Sequence, residues 1–184
     1  MDGSELQRLP FDVPDGLFSP LGSPDGRRMV ATPGHLNVAL LDASRPPAER
    51  IRLLPAPAEG EVFAASSWSP DGKYLAGALE QSRGGASIPG VVLYSFATGR
   101  YERLTDKGTV PAWLHDGHTL LYRLEGKILE CDLRTKASRV VLTPPPNSAF
   151  NSVSVGPDDR AIYAVRASEE GDIWMLTLPR VDER

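Results

Sequence analysis

A four-residue turn motif recurs along the chain and constrains the fold more than any other feature. Ser-Pro-Asp-Gly occurs at 23–26 and 69–72, and related sequences occur at 114–117 (LHDG) and 156–159 (GPDD). The second positions of the four motifs are therefore 46, 45 and 42 residues apart. A period of about 40–45 residues is the length of one four-stranded blade of a β-propeller. The spacing predicts four such units.

The residues of the motif are those that a tight turn needs. Proline presets φ at the first central position, aspartate accepts hydrogen bonds from nearby backbone N–H groups, and glycine supplies a positive φ at little cost. The motif is therefore interpreted as a hairpin turn between two strands and not as a catalytic loop. The predicted structural turn residues are Pro24, Asp25, Gly26, Pro70, Asp71, Gly72, Asp116, Gly117, Pro157 and Asp158.

Each unit has the sequence pattern of strands. Short apolar runs rich in branched and aromatic residues, bounded by Gly, Pro and Asp, are typical of strands, and no segment shows sustained helical periodicity. The predicted fold is all-β, a single propeller domain of about four four-stranded antiparallel blades. The predicted units cover residues 10–55, 56–105, 106–143 and 144–178, with an extra strand at 4–9.

The ends of the chain suggest how the ring closes. The fourth unit has no sequence for an outer strand, whereas the chain starts with SELQRL, which is similar to the outer-strand runs of other units. We hypothesise that strand 4–9 pairs with the last blade and so removes an open edge. The alternatives are that four blades are cut from a larger ring, or that the chain self-associates into an eight-blade assembly.

One pair of segments carries a family resemblance. The sequences 68-WSPDGKYLAG-77 and 96-FATGRYERLT-105 resemble the WD-like repeats of TolB-type β-propellers, and the similarity extends over nearly the whole chain. Unit three departs from the pattern at Leu114 and His115, and unit four departs at Asp159. The ending 168-SEEGDIWMLTL-178 resembles the last repeat of propellers attached to some bacterial serine/threonine kinases. TolB-like propellers also precede the catalytic domains of prolyl-oligopeptidase-like enzymes.

Composition argues against several classes of partner. The net charge of −4 gives no basic patch for nucleic acid. The single cysteine, Cys131, excludes an intrachain disulfide, and its place on the apolar side of KILECDL predicts a small buried hydrophobe. No apolar run reaches the roughly 18 residues of a membrane helix, and no signal peptide is present. The chain as written is expected to be cytoplasmic, or extracytoplasmic if it is a fragment of a TolB-like or membrane-kinase protein.

Catalytic and metal-binding motifs are also missing. The sequence has no G-x-S-x-G elbow and no phosphate-binding loop, so we expect no enzymatic activity. The segment 115-HDGH-118 offers two imidazoles and a carboxylate, but a zinc site usually needs three or four protein ligands, and a solvated turn is favoured. D-x-D-x-D-G spacing for calcium is absent. We therefore expect no metal and no cofactor.

The remaining function is binding. By the predicted register, the loops 55–61, 80–90, 105–109, 143–150 and 167–172 share the face opposite the turns. Long loops on a rigid scaffold commonly carry recognition, and Glu80, Arg83 and Glu169 are the binding candidates on these loops. Trp68 and Trp113, just before two turns, are interpreted as packing between blades. The chain is expected to be a non-catalytic protein- or peptide-binding module; the alternatives are a regulatory propeller fragment of a kinase or peptidase, and a self-assembling structural unit.

Overall fold

The computed structural model describes residues 17–33, 37–42, 44–46, 49–81 and 87–168. The secondary structure of these segments consists of fourteen β-strands and no α-helix, so the all-β prediction is confirmed. The strands are β1 (Leu17–Gly22), β2 (Arg28–Pro33), β3 (Ala39–Asp42), β4 (Ile51–Leu53), β5 (Glu61–Trp68), β6 (Tyr74–Gln81), β7 (Ser87–Ser95), β8 (Arg100–Arg103), β9 (Thr109–Trp113), β10 (Thr119–Leu124), β11 (Lys127–Asp132), β12 (Ser138–Leu142), β13 (Ser148–Val155) and β14 (Ile162–Ser168).

Consecutive strands pair into antiparallel sheets, which are the blades. Blade 1 is β1-β2-β3-β4, blade 2 is β5-β6-β7-β8, blade 3 is β9-β10-β11-β12, and the described part of blade 4 is β13-β14. Each blade is a meander, so its strands alternate in direction. The hairpin turn between its first two strands therefore lies at one end of the sheet, and the connection to the next blade leaves from the opposite end. We call the first end the turn face and the second the loop face.

The core consists of layers between neighbouring blades. The first layer, between blades 1 and 2, contains Phe63, Leu75 and Tyr94 and has more buried residues than the other two. The second layer surrounds Trp113 and Leu120, and the third lies between blades 3 and 4. We call the three contacts between consecutive blades the first, second and third seams. The described residues of blades 1 and 4 share no extensive contact, and strand 4–9 lies outside the described residues, so closure by that strand stays a prediction.

Candidate functional site: the seams between blades

The first two turns have the same hydrogen bonds. In each, the Ser hydroxyl donates to the Asp carboxylate and accepts from the backbone N–H five residues further on, at Arg28 in the first turn and at Tyr74 in the second, both at 2.9 Å. Gly26 and Gly72 both have φ of +68°. The backbone at the start of β2 and β6 is therefore fixed in the same register, and Arg28 and Tyr74 are structurally equivalent residues.

The third and fourth turns are joined by the residues that break the motif. His115 stands where the other turns have proline, and its backbone N–H donates to the two carboxylate oxygens of Asp159 at 3.0 and 2.9 Å. Its imidazole Nδ1 lies 2.8 Å from the same carboxylate. Asp159 replaces glycine and keeps the left-handed turn conformation, with φ of 58°. The two departures thus form one contact across the third seam, which a proline at 115 could not make because it has no N–H.

The carboxylates of the turns are held in their charged form. Partial burial raises the pKa of Asp71, but hydrogen bonds from the Ser69 hydroxyl and from Lys73 outweigh it, so the pKa is lowered overall. Asp159 behaves similarly: burial raises its pKa, and the hydrogen bonds from His115 bring it below the usual value. The pKa of Asp25 is lowered chiefly by the Ser23 hydroxyl. The turn face consequently presents ionised carboxylates at neutral pH.

The first seam is filled by an arginine on the turn face. Trp68 stacks on Phe96 with ring centroids 5.0 Å apart, and the Arg28 guanidinium carbon lies 5.0 Å from each ring centroid. Arg28 Nη2 donates to the carbonyl of Gly72 at 2.9 Å, and the Trp68 indole N–H donates to the carbonyl of Leu21 at 3.2 Å. The polar groups of this seam therefore have partners within the chain.

A buried asparagine closes the other end of the first seam. Asn37 is only 8% exposed, and its side-chain amide donates to the carbonyls of Leu54 and Pro55 at 3.1 and 2.6 Å. Its carbonyl accepts from the backbone N–H of Phe63 at 2.8 Å. The Tyr101 hydroxyl completes this network by donating to the Pro55 carbonyl at 2.8 Å. The first seam is thus fixed by side chains at both faces.

The second seam has the same tryptophan but leaves a cleft. Tyr74 stacks on Trp113 with centroids 6.2 Å apart and an interplanar angle of 26°. Beside this pair lies a cleft of about 230 Å³. Trp113 is 7% exposed, and its indole Nε1 is the only side-chain nitrogen or oxygen in the described residues that is buried without a hydrogen-bond partner. The residues lining the cleft are Ser69, Asp71, Tyr74, Leu93, Glu102, Leu104, Trp113, Gly117, Leu133 and Lys136.

The second seam is held by a few polar contacts around this cleft. The Ser67 hydroxyl accepts from the backbone N–H of Trp113 at 2.8 Å. At the rim, Lys136 Nζ lies 3.0 Å from the Glu102 carboxylate, and both side chains are more than half exposed. A second cleft, of about 240 Å³, lies next to the first and shares Tyr74, Leu93 and Glu102 with it. Together the two form a groove running from the turns toward the outer edge of blade 2.

Of the three binding residues named from the sequence, the structure describes one, Glu80, and it does not line the cleft. Glu80 is exposed near the end of β6, on the loop face, where it pairs with Ser87. Arg83 and Glu169 are outside the described residues, so the three candidates stay predictions and are not seen together. A depression of about 530 Å³ on the loop face, beside Asn147 and Asn151, has no aromatic side chain among its described lining residues. Sequence reasoning missed Tyr74, Glu102, Leu133 and Lys136; the available signal was that Trp113 needs a hydrogen-bond acceptor.

The two histidines of the HDGH segment and Cys131 have partners or packing within the fold. His118 Nδ1 contacts the carbonyl of Asp116 at 2.9 Å, so the two histidines of the HDGH segment turn to different partners. Within the described ranges no cluster of three or more His, Cys, Asp or Glu side chains is placed to hold a metal ion. Cys131 is fully buried in the second core layer. The described part of the chain contains no helix that is long and apolar enough to cross a membrane.

Comparison with solved structures identifies the fold. A putative TolB from Agrobacterium tumefaciens is 19% identical, with a TM-score of 0.62, and the match covers 82% of this chain and 54% of that one. An oligogalacturonate lyase from Vibrio parahaemolyticus is 13% identical, with a TM-score of 0.62, over 82% of this chain and 46% of that one. An oligogalacturonate lyase in complex with manganese is 15% identical, with a TM-score of 0.61, and the match covers 84% of this chain and 47% of that one.

These matches confirm the predicted resemblance: the chain has a TolB-like β-propeller fold. It spans about half the length of the structures that it resembles. No protein-family model and no curated protein sequence matches it.

Proposed function

We propose that this chain is a non-catalytic module that binds a protein or peptide, and that the groove at the second seam is its binding surface. The supporting observation is the contrast between equivalent seams. In the first seam the indole N–H of the tryptophan has an acceptor, and side chains fill the space beside the ring. In the second seam Tyr74 stacks on Trp113, a cleft lies beside this pair, and the buried indole N–H has no acceptor. Partly exposed aromatic residues beside hydrogen-bonding groups are typical of protein-recognition surfaces.

The shape of the groove favours a peptide over a compact small molecule. Its first part lies between blades 2 and 3, and its second part continues along blade 2 from Tyr74 past Glu102 to Arg100. An extended segment can place successive side chains along such a groove, while its backbone supplies acceptors for a donor such as the Trp113 indole.

An unbiased peptide selection tests this function. Random peptides displayed on phage are selected on the full chain, and the enriched peptides are then measured in solution against wild type, Tyr74→Ala and Tyr163→Ala. Tyr163 is a matched control because it is 62% exposed on blade 4, away from the groove. We expect enriched peptides whose affinity falls at least about tenfold with Tyr74→Ala, the size of loss typical for an aromatic interface anchor, and is unchanged with Tyr163→Ala.

Two results would contradict the proposal in different ways. If no peptide is enriched over the unselected library, the binding function itself fails. If peptides bind but Tyr74→Ala has no effect, the groove is not the binding surface; a loss with Glu80→Ala would then favour the loop face.

The length of the matched structures favours one alternative. Because the chain spans about half of each, it is also consistent with a regulatory or sensor propeller fragment of a larger enzyme, such as a bacterial serine/threonine kinase or a prolyl-oligopeptidase-like peptidase. A kinase or peptidase motif in the same gene, outside the present 184 residues, would support this alternative.

A further inference from the structure

The first seam contains an arginine site that the chain fills itself. Arg28, from blade 1, covers the stacked pair of Trp68 and Phe96 and donates to the carbonyl of Gly72, the glycine of the next turn. The approach is close, since a Cβ at Gly72 would lie 2.9 Å from Arg28 Nη2. A guanidinium is suited to such a place because it stacks on aromatic faces and donates in its own plane at the same time.

The second seam repeats the frame of that site with two residues changed, Tyr74 for Arg28 and Leu133 for Phe96. The N–H groups of Arg28 and Tyr74 donate to the Ser hydroxyl of their own turn, so these two residues share a register. Phe96 and Leu133 are also equivalent residues. Their backbone N–H groups donate, at 3.0 and 2.8 Å, to the carbonyls of Lys73 and His118, the residues that directly follow the two turn motifs. Trp113 then corresponds to Trp68, and Gly117 to Gly72. Tyr74 therefore occupies the place of Arg28, and the cleft lies beside it.

The charges lining this cleft suit a cation. Asp71 and Glu102 contribute two carboxylates, and Lys136 is the one cationic side chain among the lining residues that the structure describes. The ion pairs that these carboxylates make, Asp71 with Lys73 and Glu102 with Lys136, join side chains that are between 49% and 70% exposed. Exposed pairs of this kind contribute little to stability, so an incoming guanidinium exchanges with a lysine at small cost.

We propose that the cleft at the second seam binds an arginine side chain of a partner polypeptide. The guanidinium lies in the cleft beside Tyr74, against its ring and between the Asp71 and Glu102 carboxylates, and a backbone carbonyl of the same segment accepts from the Trp113 indole N–H. This inference rests on the proposed peptide-binding function and specifies the chemistry of its ligand.

Single-residue probes test the guanidinium directly. Nα-acetyl-arginine amide is titrated into the ¹⁵N-labelled full chain, and the indole resonance of Trp113 is followed by NMR after assignment with Trp113→Phe. The citrulline analogue is the matched control because it keeps the shape of the side chain and loses its charge, and the lysine analogue keeps the charge without the planar fork. A ligand of this size is expected to bind with a Kd of about 1 mM.

The expected result is a saturable shift of the Trp113 indole resonance with the arginine probe, and binding at least about tenfold weaker with the citrulline and lysine analogues. Glu102→Gln is expected to weaken arginine binding by a similar factor. Glu130→Gln is its control. Like Glu102, Glu130 forms an ion pair with one basic side chain, Arg139 at 2.7 Å, but it does not line the cleft. Tyr74→Arg, which restores the residue of the first seam, is expected to abolish binding of the probe, whereas Tyr74→Phe keeps it.

The inference is overturned if the arginine and citrulline probes bind equally, if the lysine probe binds as well as arginine, or if Glu102→Gln leaves arginine binding unchanged. Each of these results is distinct from a failure of the proposed function. Peptides selected without bias that bind at Tyr74 but contain no arginine overturn the inference and leave the binding function standing, whereas failure of the selection removes the function itself.

Discussion

The first and second seams are built from the same repeat and end in different states. Both have a tryptophan before a turn. Both also have, at the start of a second strand, a residue whose backbone N–H donates to the serine hydroxyl of its own turn. In the first seam that residue is Arg28, which occupies the space beside Trp68; in the second it is Tyr74, and a cleft is left beside Trp113. The comparison teaches that a repeat fixes where side chains meet, while the residues at its variable positions, here Arg28 against Tyr74 and Phe96 against Leu133, decide whether the contact is closed or available to a ligand.

The largest expected effect is on the buried asparagine of the first seam. Asn37→Ala leaves the N–H of Phe63 and the carbonyl of Leu54 without this partner, while the Pro55 carbonyl keeps the hydrogen bond from the Tyr101 hydroxyl. Since unsatisfied buried groups are costly, we expect a loss of about 3 kcal/mol in the free energy of unfolding, measured by urea denaturation. Asn151→Ala, at an exposed position of β13, is the control and is expected to be near neutral. An equal effect of the two substitutions would show that side chains do not lock the first seam.

The arginine of the first seam is expected to have the next largest effect. Arg28→Met keeps an apolar stem against Trp68 and Phe96 but removes the cation and the hydrogen bond to Gly72. We expect a loss of about 1–2 kcal/mol by denaturant unfolding. The neighbouring Arg27 is exposed, so Arg27→Met is the matched control and should change the free energy of unfolding by less than about 0.5 kcal/mol. A neutral Arg28→Met would contradict the idea that this side chain completes the seam.

A double-mutant cycle tests the third seam. His115→Pro and Asp159→Gly each restore the residue found at that turn position in the other units, and either one removes the contact between them. We expect a coupling free energy of about 1 kcal/mol at neutral pH, because the hydrogen bonds are charge-assisted but partly exposed.

The pH dependence of this coupling has a definite sign. The folded-state pKa of Asp159 is below its usual value of 3.8, so its stabilising contribution is present above that value and is lost as the pH falls through the lowered pKa. Strictly additive single effects at pH 7 would mean that His115 and Asp159 do not act together.

The smallest expected effect distinguishes the first seam from the others at high pH. Burial raises the pKa of Tyr101 from 10.0 to about 12, although the hydrogen bond from Asn37 works in the opposite direction. A raised pKa means that the contribution of the neutral phenol is complete below pH 10 and is lost as the pH rises toward 12. Thermal unfolding of wild type should therefore lose stability over this range relative to Tyr101→Phe. Parallel curves for the two proteins would contradict the assignment.

Much of the fold could be predicted because turns and strands are local. Proline, aspartate and glycine set the hairpin turns, and the branched and aromatic runs between them form strands at the predicted spacing. The buried position of Cys131 also follows from its alternation within a strand. The TolB-like resemblance, carried by two short segments of unit two, agrees with the solved structures of the same fold.

The candidate site could not be predicted in the same way. Tyr74 and Trp113 are 39 residues apart, and Glu102 and Lys136 are 34 apart, so neither pair is visible in any local pattern. His115 and Asp159, which the sequence shows only as two separate departures from the turn motif, are partners across a seam. The sequence directed attention to the loop face and to Glu80, Arg83 and Glu169, whereas the aromatic cleft lies on the turn face.

By itself the sequence determined the repeat, the turns and the strand content, because these depend on the conformational preferences of neighbouring residues. The tertiary structure alone decided which seam is filled and which is open. That outcome depends on side chains from two different blades meeting in one space: a guanidinium lies over the first tryptophan, whereas a tyrosine stacks on the second, whose indole N–H has no acceptor.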